Sequence, residues 1–297
     1  MLEKLIGLIV LSVALSQQAF YGIALGIVQG ISEWLPISSK TQIIILATYL
    51  LKMPFSQAYT FGLFMEIGTI LAAVIYFRKE VISMIMAIFG KGSVDGKFLL
   101  KYVVISTIFT GIIGSIIYLY INSLQGVYNI GLPMAILGLI LIGDALFIKY
   151  SRSRYGKNKN RRTVSQMNMK DYIIVGVVQG IAALPGVSRS GATTSALLLL
   201  NVETDEAFRL SFINMILATS GAVLLTLVAS KASVYSSIAA IGTYGLLISI
   251  ITATVISLFF IGFLLSIAKK SSIVYLISAL GVIALVGGVL AALYGAV

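Results

Sequence analysis

The sequence predicts an all-α polytopic membrane protein with six transmembrane helices and two re-entrant helical hairpins, arranged as an inverted-topology repeat. Three observations predict it. Apolar residues make up 59% of the 297-residue chain and charged residues 10%, where soluble domains hold about 45–50% and about 25%. The segment Val28-Gln29-Gly30-Ile31 returns as Val178-Gln179-Gly180-Ile181, and each copy runs on through a Leu-Pro break into serines. Lysine and arginine collect between alternate apolar runs.

Residues 1–18 form an N-terminal extension. Met1-Leu2-Glu3-Lys4 followed by an apolar run reads as a signal peptide with a cleavage site at Ala14-Leu15-Ser16, or as an extra helix continuing toward residue 24. The first repeat, 19–150, opens with the apolar stretch 19–51, which breaks at Leu35-Pro36. A helix needs about 20 residues to cross the bilayer core, so neither half of this stretch spans alone. Proline removes a backbone donor and clashes within a helix. Broken backbone at membrane depth survives only when buried in protein or lining a wet cavity, so the stretch reads as a re-entrant hairpin. Spans at 56–77, 98–121 and 130–149 complete the repeat. After a basic loop at 151–171, the second repeat, 172–297, opens with the stretch 172–201, broken at Leu184-Pro185-Gly186. Spans at 206–230, 239–268 and 272–294 follow. Each half is one hairpin plus an odd number of spans, so the halves lie in opposite orientations. A binding site is expected at the midplane, where the broken helices meet.

Loop charge gives the orientation. Arg78, Lys79, Lys91, Lys97 and Lys101 lie in loop 78–101. Lys149, Arg152, Arg154, Lys157, Lys159, Arg161, Arg162 and Lys170 lie in or beside loop 151–171, and Lys269 and Lys270 in the last short loop. The opposite loops, 122–129 and 231–238, hold Lys231 alone. Basic loops stay cytoplasmic, so the expected product is a multi-pass cell-membrane protein whose first hairpin enters from outside and whose second enters from the cytoplasm. The net charge of +11 then belongs to these loops, and nucleic acid is not an expected partner. Loop 151–170 reads as a solvated linker that sets orientation, and gathering anionic lipid is a weaker role for it. There is no cysteine and no histidine. Disulfides and thiolate metal sites are excluded, and the usual general base near neutral pH is missing.

Charge at the bilayer centre is costly and faces a cavity or a partner. Glu33, Lys40, Glu66 and Arg189 are such charges. A buried ion-pair network that only locks the halves together competes with a chemical role, most of all for Glu66. Gln29 and Glu33 are four apart and share a helix face, where a carboxylate and an amide can hold a hard divalent cation or position a water. Gly22, Gly26, Gly30, Gly176 and Gly180 read as close helix packing. After each break, Ile37-Ser38-Ser39-Lys40-Thr41 and Val187-Ser188-Arg189-Ser190 open a new half-helix. Its N-terminus offers unpaired N–H groups to an anion, with the serines as caps. Capping does not explain an arginine there, and its planar fork matches phosphate oxygens.

With these residues in view, the chain resembles the undecaprenyl-diphosphate phosphatase family associated with bacitracin resistance. One family signature is Glu-or-Gln, three residues, Glu; here it reads Gln29-Gly30-Ile31-Ser32-Glu33, followed by Leu35-Pro36-Ile37-Ser38-Ser39. The other is Pro-Gly-x-Ser-Arg-Ser-x-x-Thr; here it reads Pro185-Gly186-Val187-Ser188-Arg189-Ser190-Gly191-Ala192-Thr193. The resemblance covers about residues 20–295. It implies the same fold and removal of the terminal phosphate from a polyprenyl diphosphate, which recycles a lipid carrier for cell-envelope or glycan synthesis. It also implies a site open to the outer face and a supporting divalent cation, Mg²⁺ or Ca²⁺. Carried over by position, Glu33 is the key carboxylate and the metal ligand, Ser39 the nucleophile and Arg189 the diphosphate clamp, with Ser188, Ser190 and Thr193 around it. Gln29, Ser38, Lys40, Gln42 and Glu66 complete the expected substrate contacts.

The chain departs from the family pattern at Gln42, where members commonly have histidine, and at Glu66, where many have glutamine. Gln42 cannot accept a proton near pH 7, so the base falls to Glu33, Glu66 or a metal-bound water. Lys40, next to Ser39, would lower the serine's pKa or hold a phosphate oxygen. A transporter or flippase of polyprenyl phosphate would use the same repeats and anion site without hydrolysis, and it needs no base. A purely structural scaffold does not account for Glu33 and Arg189 at the two breaks. The expected partners are the lipid substrate, membrane lipids and, as an assembly, a homodimer.

Overall fold

The computed structural model describes residues 2–123, 131–155, 161–268, 270 and 273–294. Lys157, Lys159, Lys269 and positions 124–129 of the expected outer loop lie outside them. The chain is all-helical, with a single isolated bridge between Arg162 and Val202 and no strand among the described residues. The first six helices are α1 (Leu2–Ser32), α2 (Ser39–Leu51), α3 (Phe55–Tyr76), α4 (Arg78–Ile88), α5 (Val94–Ser123) and α6 (Gly131–Tyr155). After a 3-10 turn at Val164–Gln166 come α7 (Met169–Ile181), α8 (Arg189–Leu199), α9 (Thr204–Ala229), α10 (Lys231–Ile241), α11 (Thr243–Ala268) and α12 (Ile273–Tyr294). Among the described residues, five stretches are long and apolar enough to cross a membrane: Phe55–Tyr76, Val94–Ile121, Met134–Arg154, Thr204–Ala229 and Thr243–Phe263. This is a multi-pass membrane protein.

Local chemistry sets the helix ends. The α1–α2 turn contains Pro36, and Ser38 enters α2 in the left-handed region at φ 57°. The α7–α8 turn contains Pro185 and Gly186, whose φ of +96° suits glycine. Asn168 caps α7 by accepting from Lys170 and Asp171, and Asp171 answers by accepting from Asn168 at 2.8 Å. Asp205 and Glu206 stand in the first turn of α9, and Arg152 and Arg154 in the last turn of α6, each opposite the helix dipole.

Four parts of the fold differ from the sequence reading. Residues 2–18 continue without a break into α1, as the extra-helix alternative expects, but α1 runs past residue 24 to Ser32 and at 31 residues is about 46 Å long, far more than half a hairpin. Loop 78–101 contains the short helix α4, and loop 231–238 lies wholly within the short helix α10. Ile82, Ile85 and Met86 of α4 are exposed beside Arg78 and Lys79, so a helix with basic and apolar faces reads in one dimension as a charged loop. The expected span 239–268 begins inside α10 and is interrupted at Gly242, φ +78°. Loop 151–171 is also more than a linker. Val164 and Met167 are buried in the main core, and Arg162 donates to Asp171 at 2.6 Å and to the Leu200 carbonyl at 3.2 Å.

Packing follows the glycines. α1 lies along α11, α7 along α5, α6 along α12 and α3 against α9. A Cβ on Gly26 would stand 2.6 Å from the Ser249 carbonyl oxygen, and one on Gly180 would stand 2.7 Å from Ile113 Cβ. A Cβ on Gly143 would meet nothing within 4 Å. Gly26→Ala is therefore expected to destabilise the protein by about 1–3 kcal/mol, because backbone is the obstacle. Gly143→Ala is expected to be neutral or mildly stabilising. Thermal unfolding in detergent checks both, and equal midpoints for the two variants would contradict the close α1–α11 contact.

Candidate active site

The two turns meet inside the protein. Trp34, in the first turn, is fully buried against Phe212 of α9, with ring centroids 5.1 Å apart. This pins the turn that carries Glu33 and Ser39. Gly186 N–H donates to Thr41 Oγ1 at 2.9 Å, Ser190 Oγ donates to the Leu35 carbonyl at 3.3 Å, and Tyr59 donates to the Ala183 carbonyl at 2.8 Å. The two turn regions and α3 thus satisfy polar groups of one another, as buried, broken backbone requires.

Glu33 sits at the centre. Ser39 Oγ donates to its Oε2 at 2.6 Å and Gln29 Nε2 donates to the same oxygen at 2.9 Å. Arg189 Nη2 pairs with Oε1. All four side chains are buried or nearly so. Arg189 is the first residue of α8, capped by Ser188, whose Oγ accepts from Gly191 N–H at 3.2 Å. Two buried atoms here have no partner among the described residues, Arg189 Nη1 and Gln29 Oε1. A guanidinium donor and an amide oxygen are thus left over for a ligand. The space between the turns is about 10 Å³, lined by Glu33, Ser38, Ser39, Lys40, Ser188 and Arg189, roughly enough for one water.

Lys40 and Arg189 also line a much larger cavity of about 320 Å³. Glu66 and Tyr59 of α3 share this wall with Thr219 of α9. Beyond them the lining becomes small and apolar, with Gly111 and Gly114 of α5 and Ala218, Gly221 and Ala222 of α9. No Cβ on Gly111 or Gly221 would meet anything within 4 Å. The cavity lining therefore combines two cations and one carboxylate with small apolar residues of α5 and α9.

Of the residues expected from sequence, Gln29, Glu33, Ser38, Ser39, Lys40, Ser188, Ser190 and Arg189 gather at the two turns, and Glu66 faces the large cavity. Ser38 is turned to Thr41 at 2.8 Å and Ser190 to Ser188 at 3.2 Å. Two others point elsewhere: Gln42 donates to the Ile37 carbonyl at 3.2 Å, and Thr193 donates to the Arg189 carbonyl at 2.7 Å and pairs with Ser211. The sequence reading missed Asp144, which is buried on α6 and accepts the Ser188 N–H at 2.9 Å. Its carboxylate takes the N–H of Ser188, the capping residue of α8. An acid in the middle of the apolar run 130–149 was the available signal.

The chain matches known proteins over nearly all of its length. It is 48% identical over 270 residues to the undecaprenyl-diphosphatase of Saccharolobus solfataricus, covering 91% of this chain and 95% of that one. It is 50% identical over 257 residues to that of Saccharolobus islandicus (strain M.14.25), covering 86% and 90%. It is 37% identical over 268 residues to that of Pyrobaculum aerophilum, covering 90% and 96%. The profile of the bacitracin resistance protein BacA family matches residues 22–286, a span that includes both turns, all of the cavity lining and the Glu33–Ser39–Arg189 centre. On that match and these relatives, the chain belongs to the BacA bacitracin resistance family.

Proposed function

We infer that the protein hydrolyses a polyprenyl diphosphate, of the undecaprenyl diphosphate kind that its relatives' names state, to the monophosphate and inorganic phosphate. The observation that carries the mechanism is the 2.6 Å hydrogen bond from Ser39 Oγ to Glu33. It points the serine proton at a carboxylate, which is the arrangement of an activated nucleophile. Ser39 attacks the terminal phosphorus and Glu33 takes its proton. The phosphoanhydride P–O bond breaks, and polyprenyl monophosphate leaves. Water then cleaves the phosphoserine: its hydroxyl goes to phosphorus, its other proton leaves with the inorganic phosphate, and the Glu33 proton returns to the serine oxygen as the Ser39 O–P bond breaks. Arg189 Nη1 donates to phosphate oxygens from the junction of the two cavities, while Lys40 adds positive charge beside it. The lipid chain lies along the apolar lining of α5 and α9.

The residues present fit a hard cation shared with the substrate. Gln29 Oε1 is a buried, unpartnered oxygen beside Glu33, and no cluster of three or more acidic, histidine or cysteine side chains stands ready among the described residues. Glu33 and Gln29 would therefore hold Mg²⁺ or Ca²⁺ only together with phosphate oxygens. When bound, the ion neutralises phosphate charge.

The finer architecture belongs to the same reading: six spans and two re-entrant hairpins in an inverted repeat, with basic loops cytoplasmic and the site open to the outer face. Exchange symmetry supports it. α1 packs on α11 as α7 packs on α5, α6 meets α12, α3 meets α9, and the short α4 and α10 hold matching places in the two halves. Such a protein recycles a lipid carrier for envelope or glycan assembly.

Purified protein in detergent with long-chain polyprenyl diphosphate and Mg²⁺ or Ca²⁺ is expected to release phosphate, and EDTA to suppress that release. Lipid phosphate crossing vesicles without hydrolysis would favour a transporter instead. The same assay assigns the base. Ser39 addresses Glu33 and not Glu66, so Glu66→Gln is expected to retain about a tenth or more of the turnover. That loss is smaller than the ~10²–10⁴-fold that removal of a general base brings. A loss equal to that of Glu33→Gln would move the base to Glu66.

A further inference from the structure

The repeat contains an asymmetry that the mechanism above leaves unused. On α1, Gln29 gives its amide nitrogen to Glu33, four residues on, at 2.9 Å. On α7 the matching glutamine is Gln179, and four residues on stands Ala183. Gln179 is 3% exposed. Its amide oxygen is occupied, because Asn214 of α9 donates to it at 2.9 Å and Asn214 is in turn bonded to Ser106 of α5 at 2.8 Å. Its amide nitrogen is buried with no partner among the described residues. So is the hydroxyl of Thr107, one residue beyond Ser106. Gln179, Thr107 and Ala183 all line the large cavity, together with Lys40 and Arg189.

A buried donor without a partner is costly, and here two stand at one cavity beside two cations. In the first copy the corresponding amide is satisfied by an anionic oxygen. In the second, alanine has vacated the place of that carboxylate, and the vacated space belongs to the cavity. We propose that Gln179, with Thr107, is a second headgroup contact, whose amide N–H donates to a phosphoryl oxygen of the bound lipid in the position that a carboxylate takes beside Gln29. The three-residue chain Ser106, Asn214, Gln179 sets the amide's orientation, so the donor and not the acceptor faces the ligand. The proposal rests on the hydrolase reading only in taking the headgroup to be a phosphate.

The test is equilibrium binding of long-chain polyprenyl monophosphate and of the matching polyprenol to purified protein in detergent. Gln179→Leu is expected to weaken monophosphate binding about tenfold, and Thr107→Val about threefold, the scale of lost hydrogen bonds to a charged group. Polyprenol binding should stay at the wild-type value in both variants. Thr107→Val is isosteric and removes a hydroxyl that has no partner among the described residues, so it reports even if Gln179→Leu fails to fold. Equal loss for both lipids, or wild-type monophosphate affinity in both variants, would overturn the contact. Wild-type protein that releases no phosphate, while its variants lose affinity for the monophosphate alone, would sink the hydrolase reading and leave this contact standing.

Discussion

Glu33→Gln is expected to cut phosphate release by about 10³-fold or more, and to lower stability at the same time. The side chains are nearly the same size, so packing does not change. What changes is the carboxylate to which three groups donate. Ser39 loses the acceptor 2.6 Å away that would take its proton. Arg189 keeps its charge in a buried position and faces a neutral amide. Removing one partner of a buried pair costs about 3–5 kcal/mol, because the other charge is left uncompensated. Glu33→Asp separates the two effects. It keeps the charge for Arg189 but draws the oxygens back by one methylene, so the Ser39 contact lengthens. Its unfolding midpoint is expected near the wild type, with turnover still down about 10²-fold. If Glu33→Asp recovered both, the bond to Ser39 would be incidental and Glu33 would serve only as a lock between the halves.

Much of this arrangement was legible in one dimension, and the reasons differ by residue. The Leu-Pro breaks and the serines after them are local signals, so the two turns and their half-helices could be read directly. Glu33 and Arg189 stood out because charge is rare at membrane depth. The contact between them, 156 residues apart, followed only from the repeat. Short amphipathic elements were not legible. α4 and α10 carry lysine or arginine at their starts and too few apolar residues to span, so charge counting assigned them to loops. Residues 2–18 gave two readings because the apolar run has no internal break. Side-chain direction was the least visible property. Thr193 and Gln42 lie within the motif regions but spend their hydrogen bonds on backbone or on Ser211. Asp144, far from any motif, turns out to hold the head of α8. The missing histidine was legible, and the structure offers a candidate for the vacant role, since Ser39 Oγ already donates its hydrogen bond to Glu33.

Arg189→Lys is expected to lower kcat/KM by about 10²-fold while preserving most of the stability. Lysine retains the charge that Glu33 needs, so the buried pair survives. It loses the fork. In the native site Nη2 pairs with Glu33, and Nη1 is left without a partner at the junction of the two cavities. One guanidinium can therefore address the carboxylate and, in the proposed mechanism, the incoming phosphate together. A single ammonium meets one or the other, and substrate binding would then pull it away from Glu33. Arg189→Met is expected to be worse in both respects, because it strands the Glu33 carboxylate. The combination of Glu33→Gln with Arg189→Met distinguishes a lock from a catalyst. Neither buried charge is then unpaired, so the double variant is expected to unfold at a higher temperature than either single one, by the logic of buried pairs. Its turnover should remain at the level of the single variants, since the proton acceptor and the clamp are both gone. Stability restored without activity would show that the pair's contribution to hydrolysis is separate from its contribution to the fold. Stability and activity rising together would mean that the ion pair acts only by holding the two turns in place.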